Sequence, residues 1–199
     1  MKVMRWLIAL VLLAGGVGLY LYPSYHHATQ GAEIDELALA MQALESSEER
    51  VPSLNPKQRA KLEGAIRLDI PSIGLSGPVL ETTTAENLDV ALTKVAPTMR
   101  PGEGNLAIAG HRSFVPGRLF NRLPDVEPGD VVTITDPADG TIYRYVVEEE
   151  WVVKPEDVSV LEPTETPSLT LITCTPIETA ENRHIVRATL VDASAKEAR

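Results

Sequence analysis

The chain has 199 residues, 44% of them hydrophobic, and a formal net charge of −10. That is enough apolar material for a buried core, and too acidic a balance for a nucleic-acid binder, which needs surplus Lys and Arg against phosphate. One cysteine excludes an intramolecular disulfide framework.

The first element is "MKVMRWLIALVLLAGGVGLYLYPS". Lys2 and Arg5 precede an uncharged run from Trp6 to Tyr22. A helix over that run spans about 26 Å, near the ~30 Å hydrocarbon thickness of a bilayer. Trp6, Tyr20 and Tyr22 sit at its ends, where amphipathic rings favour the headgroup region. No clear small-residue cleavage site follows in "PSYHHATQ", so residues 1–22 read as an uncleaved single-pass anchor. Positive charge before the helix predicts a cytoplasmic N-terminus and an extracellular remainder at the cell membrane. That remainder carries −12, because residues 1–22 hold only Lys2 and Arg5. Its acidity reads as solubility. The run "EEE" at 148–150 could hold calcium, but reads more simply as a solvated face.

Residues 23–63 read as a helical stalk or linker. In "GAEIDELALAMQALESSEER" the residues Ile34, Leu37, Ala38, Met41 and Leu44 recur at spacings of three and four, the pattern of an amphipathic helix. "VPSLNP" breaks it, and "KQRAKLEG" adds a short helical turn. The pattern does not decide between a free stalk and a helix packed on the domain.

From residue 64 the texture changes. "AIRLDIPSIGLSGPVLE" gives two strands split by Pro71 and Gly74, and "TAENLDVAL" a short Thr-capped helix. "NLAIAGH" is a buried strand, "GRLFNRLPDV" a helical turn, and "EPGD" a turn into the strand "VVTIT". "DPADGT" carries a hairpin signal. The return strand "IYRYVVEEEWVV" alternates Tyr143, Tyr145 and Val147 against Arg144, Glu148 and Glu150. A Pro-rich loop, the strand "SLTLITC" and a final strand "RHIVRATLV" complete residues 64–192; 193–199 is a polar tail. Short strands at near-regular spacing predict one all-β barrel or sandwich.

The lone Cys174 ends the most apolar β-branched run outside the N-terminus. It is either a buried inert thiol or a reactive one, and a reactive one needs a base or a cation nearby. His26 and His27 fall beside the apolar run. His111 ends a strand between glycines, where a side chain can face a cleft. His184 lies in a strand with Val186, Ala188 and Leu190 at period two, as a packed histidine would. Arg183 and Arg187 are both near enough in sequence to serve an oxyanion, and spacing does not choose between them.

Together, "AIAGHRS", "TLITCTP" and "NRHIVRA" resemble the three signature segments of sortases, membrane-anchored cysteine transpeptidases of bacterial surfaces. "RLDIPSIGLSGPVLE", "PGEGN" and "FNRLPDVEPGD" are also similar, and the likeness, strongest to class D, covers roughly residues 64–192. The resemblance implies an eight-stranded β-barrel without a cofactor. It implies Cys174 as nucleophile, His111 as general acid/base, Arg183 as the substrate- and oxyanion-binding group, and Thr173 lining the same pocket. It gives His184 no role. The implied reaction cleaves an LPxTG-like sorting signal in a secreted protein through a thioester, and joins the new C-terminus to a cell-wall amine. The loop 154–168 would help shape the pocket for the signal's Leu-Pro. Two other readings use the same residues: a tethered module that only binds such peptides, and a peptide hydrolase. Pilus-building sortases often carry an Asp-Pro-aromatic lid; residues 23–64 have no such motif, which predicts an open groove.

Overall fold

The computed structural model describes residues 2–46, 55–115 and 117–195. They form two compact units, divided between Glu36 and Leu37. One helix, α1 (Lys2–Ser46), contributes to both and continues through Pro23, where the sequence predicts a boundary between anchor and stalk. A proline removes one backbone donor and crowds the preceding turn, so an end there is the ordinary expectation. Among the described residues no helix is long and apolar enough to cross a membrane. In the first unit Trp6, Leu10, Val11, Leu12, Leu13 and Tyr20 are each at least 66% exposed.

In the second unit the end of α1 is packed. Leu37, Ala40 and Met41, on one helical face, are 3%, 5% and 1% exposed. This stretch is therefore not a free stalk, an alternative that the amphipathic pattern left open. The expected helix end at Arg50 and most of "VPSLNP" lie outside the described residues. After them α2 (Pro56–Lys61) starts with a capping box, in which Asn55 accepts from the Gln58 backbone and Gln58 accepts from that of Asn55.

The rest is a closed barrel of eight strands: β1 (Ile66–Ile70), β2 (Leu75–Leu80), β3 (Leu92–Lys94), β4 (Asn105–Ala109), β5 (Val131–Thr135), β6 (Thr141–Val153), β7 (Ser168–Thr175) and β8 (Asn182–Ala195). The order around the barrel is β1-β2-β3-β4-β7-β8-β6-β5. Two pairs, β2–β3 and β4–β7, are parallel, and the other pairs are antiparallel. Closure leaves no sheet edge to protect. Alternation fills the interior: Leu68, Ile70, Leu106, Ile108, Ile134, Tyr145, Leu169, Leu171, Val186 and Ala188 pack into one cluster. Each such large side chain contributes about 1.5–3 kcal/mol of burial free energy.

The structure departs from the sequence reading in four places. The short helix α3 (Ala85–Leu88) has its cap at Thr84 as expected, but ends before Leu92. Leu92, Thr93 and Lys94 are all buried and pair with β2 and β4 as β3, so at Leu92 tertiary pairing overrides the helical pattern. "GRLFNRLPDV" contains only a 3-10 turn, Leu123–Asp125. The regular alternation of β6 breaks between Val147 and Glu149, a bulge that returns Glu150 to the inward-facing series. The last strand runs on to Ala195, into the residues expected as a polar tail.

Tyr145 is fully buried, with its hydroxyl accepting the Gly102 N–H at 2.8 Å. Burial pushes its phenol up to about 12, from an ordinary value near 10. The native state therefore holds this proton where the unfolded chain has released it, and stability falls as pH rises. A loss of about 2–3 kcal/mol is expected between pH 10 and 12, read as a falling denaturant midpoint. Tyr145→Phe should flatten that dependence.

Candidate active site

β7 is the strand on which the site is built. Its partner β8 is antiparallel, with Cys174 directly opposite Arg183. Residues opposed in this way project from one face of a sheet. Leu169, Leu171, Val186 and Ala188 point into the barrel, so Thr170, Ile172 and Cys174, with Arg183, Ile185 and Arg187, point outward. Cys174 is half-buried on that outer face. Arg183 donates from Nη1 to the carbonyls of Ala180 and Asn182, both at 3.0 Å, which holds the guanidinium against the turn into β8.

His111 reaches the same end of the barrel from β4, which runs parallel to β7 with Ala109 beside Ile172. Gly110 prolongs the pairing: its N–H donates to the Ile172 carbonyl at 3.1 Å, and its carbonyl accepts the Thr173 hydroxyl at 2.8 Å. That register brings the next residue, His111, level with Cys174. The imidazole is half-exposed, with Nε2 3.6 Å from Asp89 Oδ1 just past α3. A thiol, an imidazole and a guanidinium from three adjacent strands thus lie level at one barrel end, residue types that can together serve acyl transfer.

The other sequence candidates fall elsewhere. Thr173 is 2% exposed and lies on the inward series of β7, the opposite face from Cys174. Its hydroxyl joins β7 to the His111 segment through Gly110. His184, opposite Thr173, is also inward and buried. Its Nε2 lies 3.1 Å from Glu150 Oε2 but off the line of a hydrogen bond. Burial lowers its pKa, Glu150 opposes that shift, and the Arg112 charge adds to it. Arg187 faces outward beside Thr170, four residues along β8 and about 13 Å from Arg183. Register therefore separates the two arginines, which spacing left open. His26 and His27 have no described side chains. Glu148, Glu149 and Glu150 are exposed, and among the described residues no group of three or more His, Cys, Asp or Glu could hold a metal.

Two neighbours escaped the sequence reading. Asp89 ends a helical turn far from His111 in sequence, and no spacing signals the pair. Arg112 was visible only as the residue after His111. Its Nη1 donates to Thr175 Oγ1 at 3.0 Å, which ties the residue after the histidine to the residue after the cysteine.

A closed all-β barrel of eight strands with Cys174, His111 and Arg183 at one end defines a particular architecture. The sortase domain model matches residues 68–191, and the chain belongs to the sortase family. It is 33% identical to sortase A of Bacillus anthracis over 130 residues, 65% of this chain and 61% of that protein. To sortase A of Listeria monocytogenes it is 29% identical over 136 residues, 63% of this chain and 60% of that one. The chain thus spans about three fifths of the length of these curated relatives. Among solved structures, Listeria monocytogenes sortase A aligns with a TM-score of 0.62 at 27% identity, covering 65% of this chain and 88% of that one. A Clostridium perfringens sortase D5 transpeptidase gives 0.60 at 29%, covering 77% and 99%. Sortase E of Streptomyces avermitilis gives 0.57 at 36%, covering 66% and 89%. Relatives from classes A, D and E overlay with similar scores, so the similarity does not single out class D.

Gly110 explains why the histidine must follow a glycine. A Cβ there would lie 2.5 Å from Leu92 Cδ2 and 2.8 Å from Phe120 Cδ2. Gly110→Ala should cost about 1–3 kcal/mol of stability by overpacking, read by denaturant unfolding. At equal folded fraction it should also slow turnover, because relief of the clash moves His111 from Cys174. Unchanged stability and turnover would show that the segment is not held as described.

Proposed function

We propose that this chain is a cysteine transpeptidase that cleaves an LPxTG-like sorting signal in secreted proteins and joins the new C-terminus to a cell-wall amine. The observation that supports it most is the register placing Cys174 opposite Arg183 with His111 level on the neighbouring strand. In the first half-reaction the Cys174 thiolate attacks the Thr carbonyl carbon of the signal. Arg183 donates to the oxygen that gains charge. His111 gives its proton to the departing amine as the C–N bond breaks, leaving a thioester on Cys174. In the second half an acceptor amine attacks the thioester and His111 takes its proton. The amide forms as the C–S bond breaks, and the thiolate is released. Nothing in the cycle is oxidised or reduced, so no cofactor enters it. The curated sortase A relatives and the Clostridium perfringens transpeptidase support this reading of the chemistry.

Cys174→Ala should abolish both cleavage and transfer of a sorting peptide. His111→Ala and Arg183→Ala should each lower kcat/KM by on the order of 10² or more, and His184→Ala far less, at equal folded fraction. Mass spectrometry of products with and without an added amine separates transfer from hydrolysis: an amide adduct supports the transpeptidase, and free acid alone in excess amine supports the hydrolase.

We also propose that residues 6–22 anchor the chain, with its N-terminus in the cytoplasm and the barrel outside. The support is the set of exposed apolar side chains between Met4 and Tyr22, which water does not accommodate cheaply, and Lys2 and Arg5 before them. The full chain should float with lipid vesicles in a density gradient after alkaline washing, and a chain starting at Lys61 should not. Recovery of both in the aqueous fraction would discard the anchor.

A further inference from the structure

The outer face of β4, β7 and β8 should be wet, yet it is dry away from the thiol. Asn105, Ala107, Thr170 and Ile185 all belong to the outward series of their strands, and all are buried, at 6%, 0%, 0% and 0% exposure. A segment bonded to Asn105 and Arg187 crosses this face. The segment 154–167 leaves β6 after Val153, which is opposite Arg183, and enters β7 at Ser168, about 20 Å along that strand from Cys174. It must therefore travel the length of β7, starting at the catalytic end. Val160, at its centre, is 6% exposed.

Two outward side chains hold the segment in place. Asn105 Nδ2 donates to the carbonyls of Val160 at 2.9 Å and Glu162 at 3.1 Å. Its Oδ1 accepts the Thr170 hydroxyl at 2.7 Å and the Ser168 hydroxyl at 3.5 Å, so the amide's orientation is set by its own sheet. Arg187 adds a second donor to the Val160 carbonyl, from Nη2 at 3.2 Å, while its guanidinium lies 5.2 Å from the Trp151 ring. A buried asparagine on a strand is costly unless all its groups are paired. This one spends its donors on two carbonyls of the segment. β7 and β8 also hold the segment near its end, through Thr164 to the Ser168 hydroxyl at 2.8 Å and through the Pro167 carbonyl to the Leu190 N–H at 2.9 Å.

We propose that Asn105 and Arg187 are positioning residues for substrate recognition. They hold the 154–167 segment across the outer face so that the groove leading to Cys174 is preformed, and an extended peptide enters it without paying to order the wall. Neither residue touches the reacting atoms: Asn105 is opposite Ser168, and Arg187 is opposite Thr170. Their effect should fall on binding and not on the thiol's chemistry. This rests on the peptide substrate proposed above.

The test uses the full chain and the variants Asn105→Ala, Arg187→Met and Arg187→Lys, each with its unfolding midpoint measured. Amide exchange across residues 155–167 is expected to accelerate about tenfold in Asn105→Ala and Arg187→Met, in line with the loss of one or two hydrogen bonds. With an LPxTG peptide, KM should rise about 5–50-fold while kcat stays within about threefold, and the alkylation rate of Cys174 by iodoacetamide should stay within about twofold. Arg187→Lys, which keeps a donor, should recover part of the KM. Unchanged exchange in the segment would overturn the proposal whether or not the wild type turns over peptide. So would a fall in kcat at constant KM, which is the pattern of a general loss of folded enzyme. If the wild type leaves the peptide intact while exchange in the variants accelerates, the substrate reading is the one that fails.

Discussion

The arrangement depends on the hydrogen-bonded register of β7. That strand is paired along both edges, parallel to β4 and antiparallel to β8, and the two ladders together determine what stands beside Cys174. A slip of one residue against β8 would turn Arg183 inward and bring His184 to the thiol face. A slip against β4 would carry His111 along the strand by about 3.3 Å, beyond the reach of one proton transfer. The buried series Leu169, Leu171, Val186 and Ala188 opposes both slips, because either would expose it. Packing energy in the barrel thereby fixes the alignment of Cys174, Arg183 and His111.

The inward side of the same strand end serves that alignment without taking part in the chemistry. Thr173 binds the carbonyl of Gly110 and Arg112 binds the hydroxyl of Thr175, so the histidine segment is held from both sides of His111. Gly110 lets β4 come this close, since any side chain there would strike Leu92 and Phe120. Thr173 is thus a brace behind the thiol, on the face opposite the pocket that the family resemblance assigned to it.

The division of labour between the arginines follows the same logic. Arg183 stands opposite Cys174 near the end of the ladder, where its guanidinium meets backbone carbonyls of the turn. Arg187 sits lower on the outer face, stacked near Trp151 and bonded to the covering segment. Four residues along one strand therefore separate the arginine opposite the thiol from the arginine bonded to the covering segment.

The strand at 168–175, the histidine beside glycine, the Thr84 cap and the all-β character were legible in the sequence, because each is a local signal: period two, a capping residue, a turn glycine. The lone thiol was legible as a question, and the segment likeness supplied the reading of it. Other features are decided by pairing, and no local signal reports pairing. β3 begins at Leu92, the last residue of the expected helix, because β2 and β4 pair with a strand between them. The bulge before Glu149 changed which glutamate faces His184. Asp89 came to His111, and the 154–167 segment to Asn105, across long stretches of chain. Sequence by itself determined the residue types and the strand periods of this protein. Spacing alone left two arginines open, and the segment likeness implied Arg183. Only the tertiary structure shows Arg183 opposite the cysteine, since that depends on the register of one strand against another, set by the shared burial of the whole barrel.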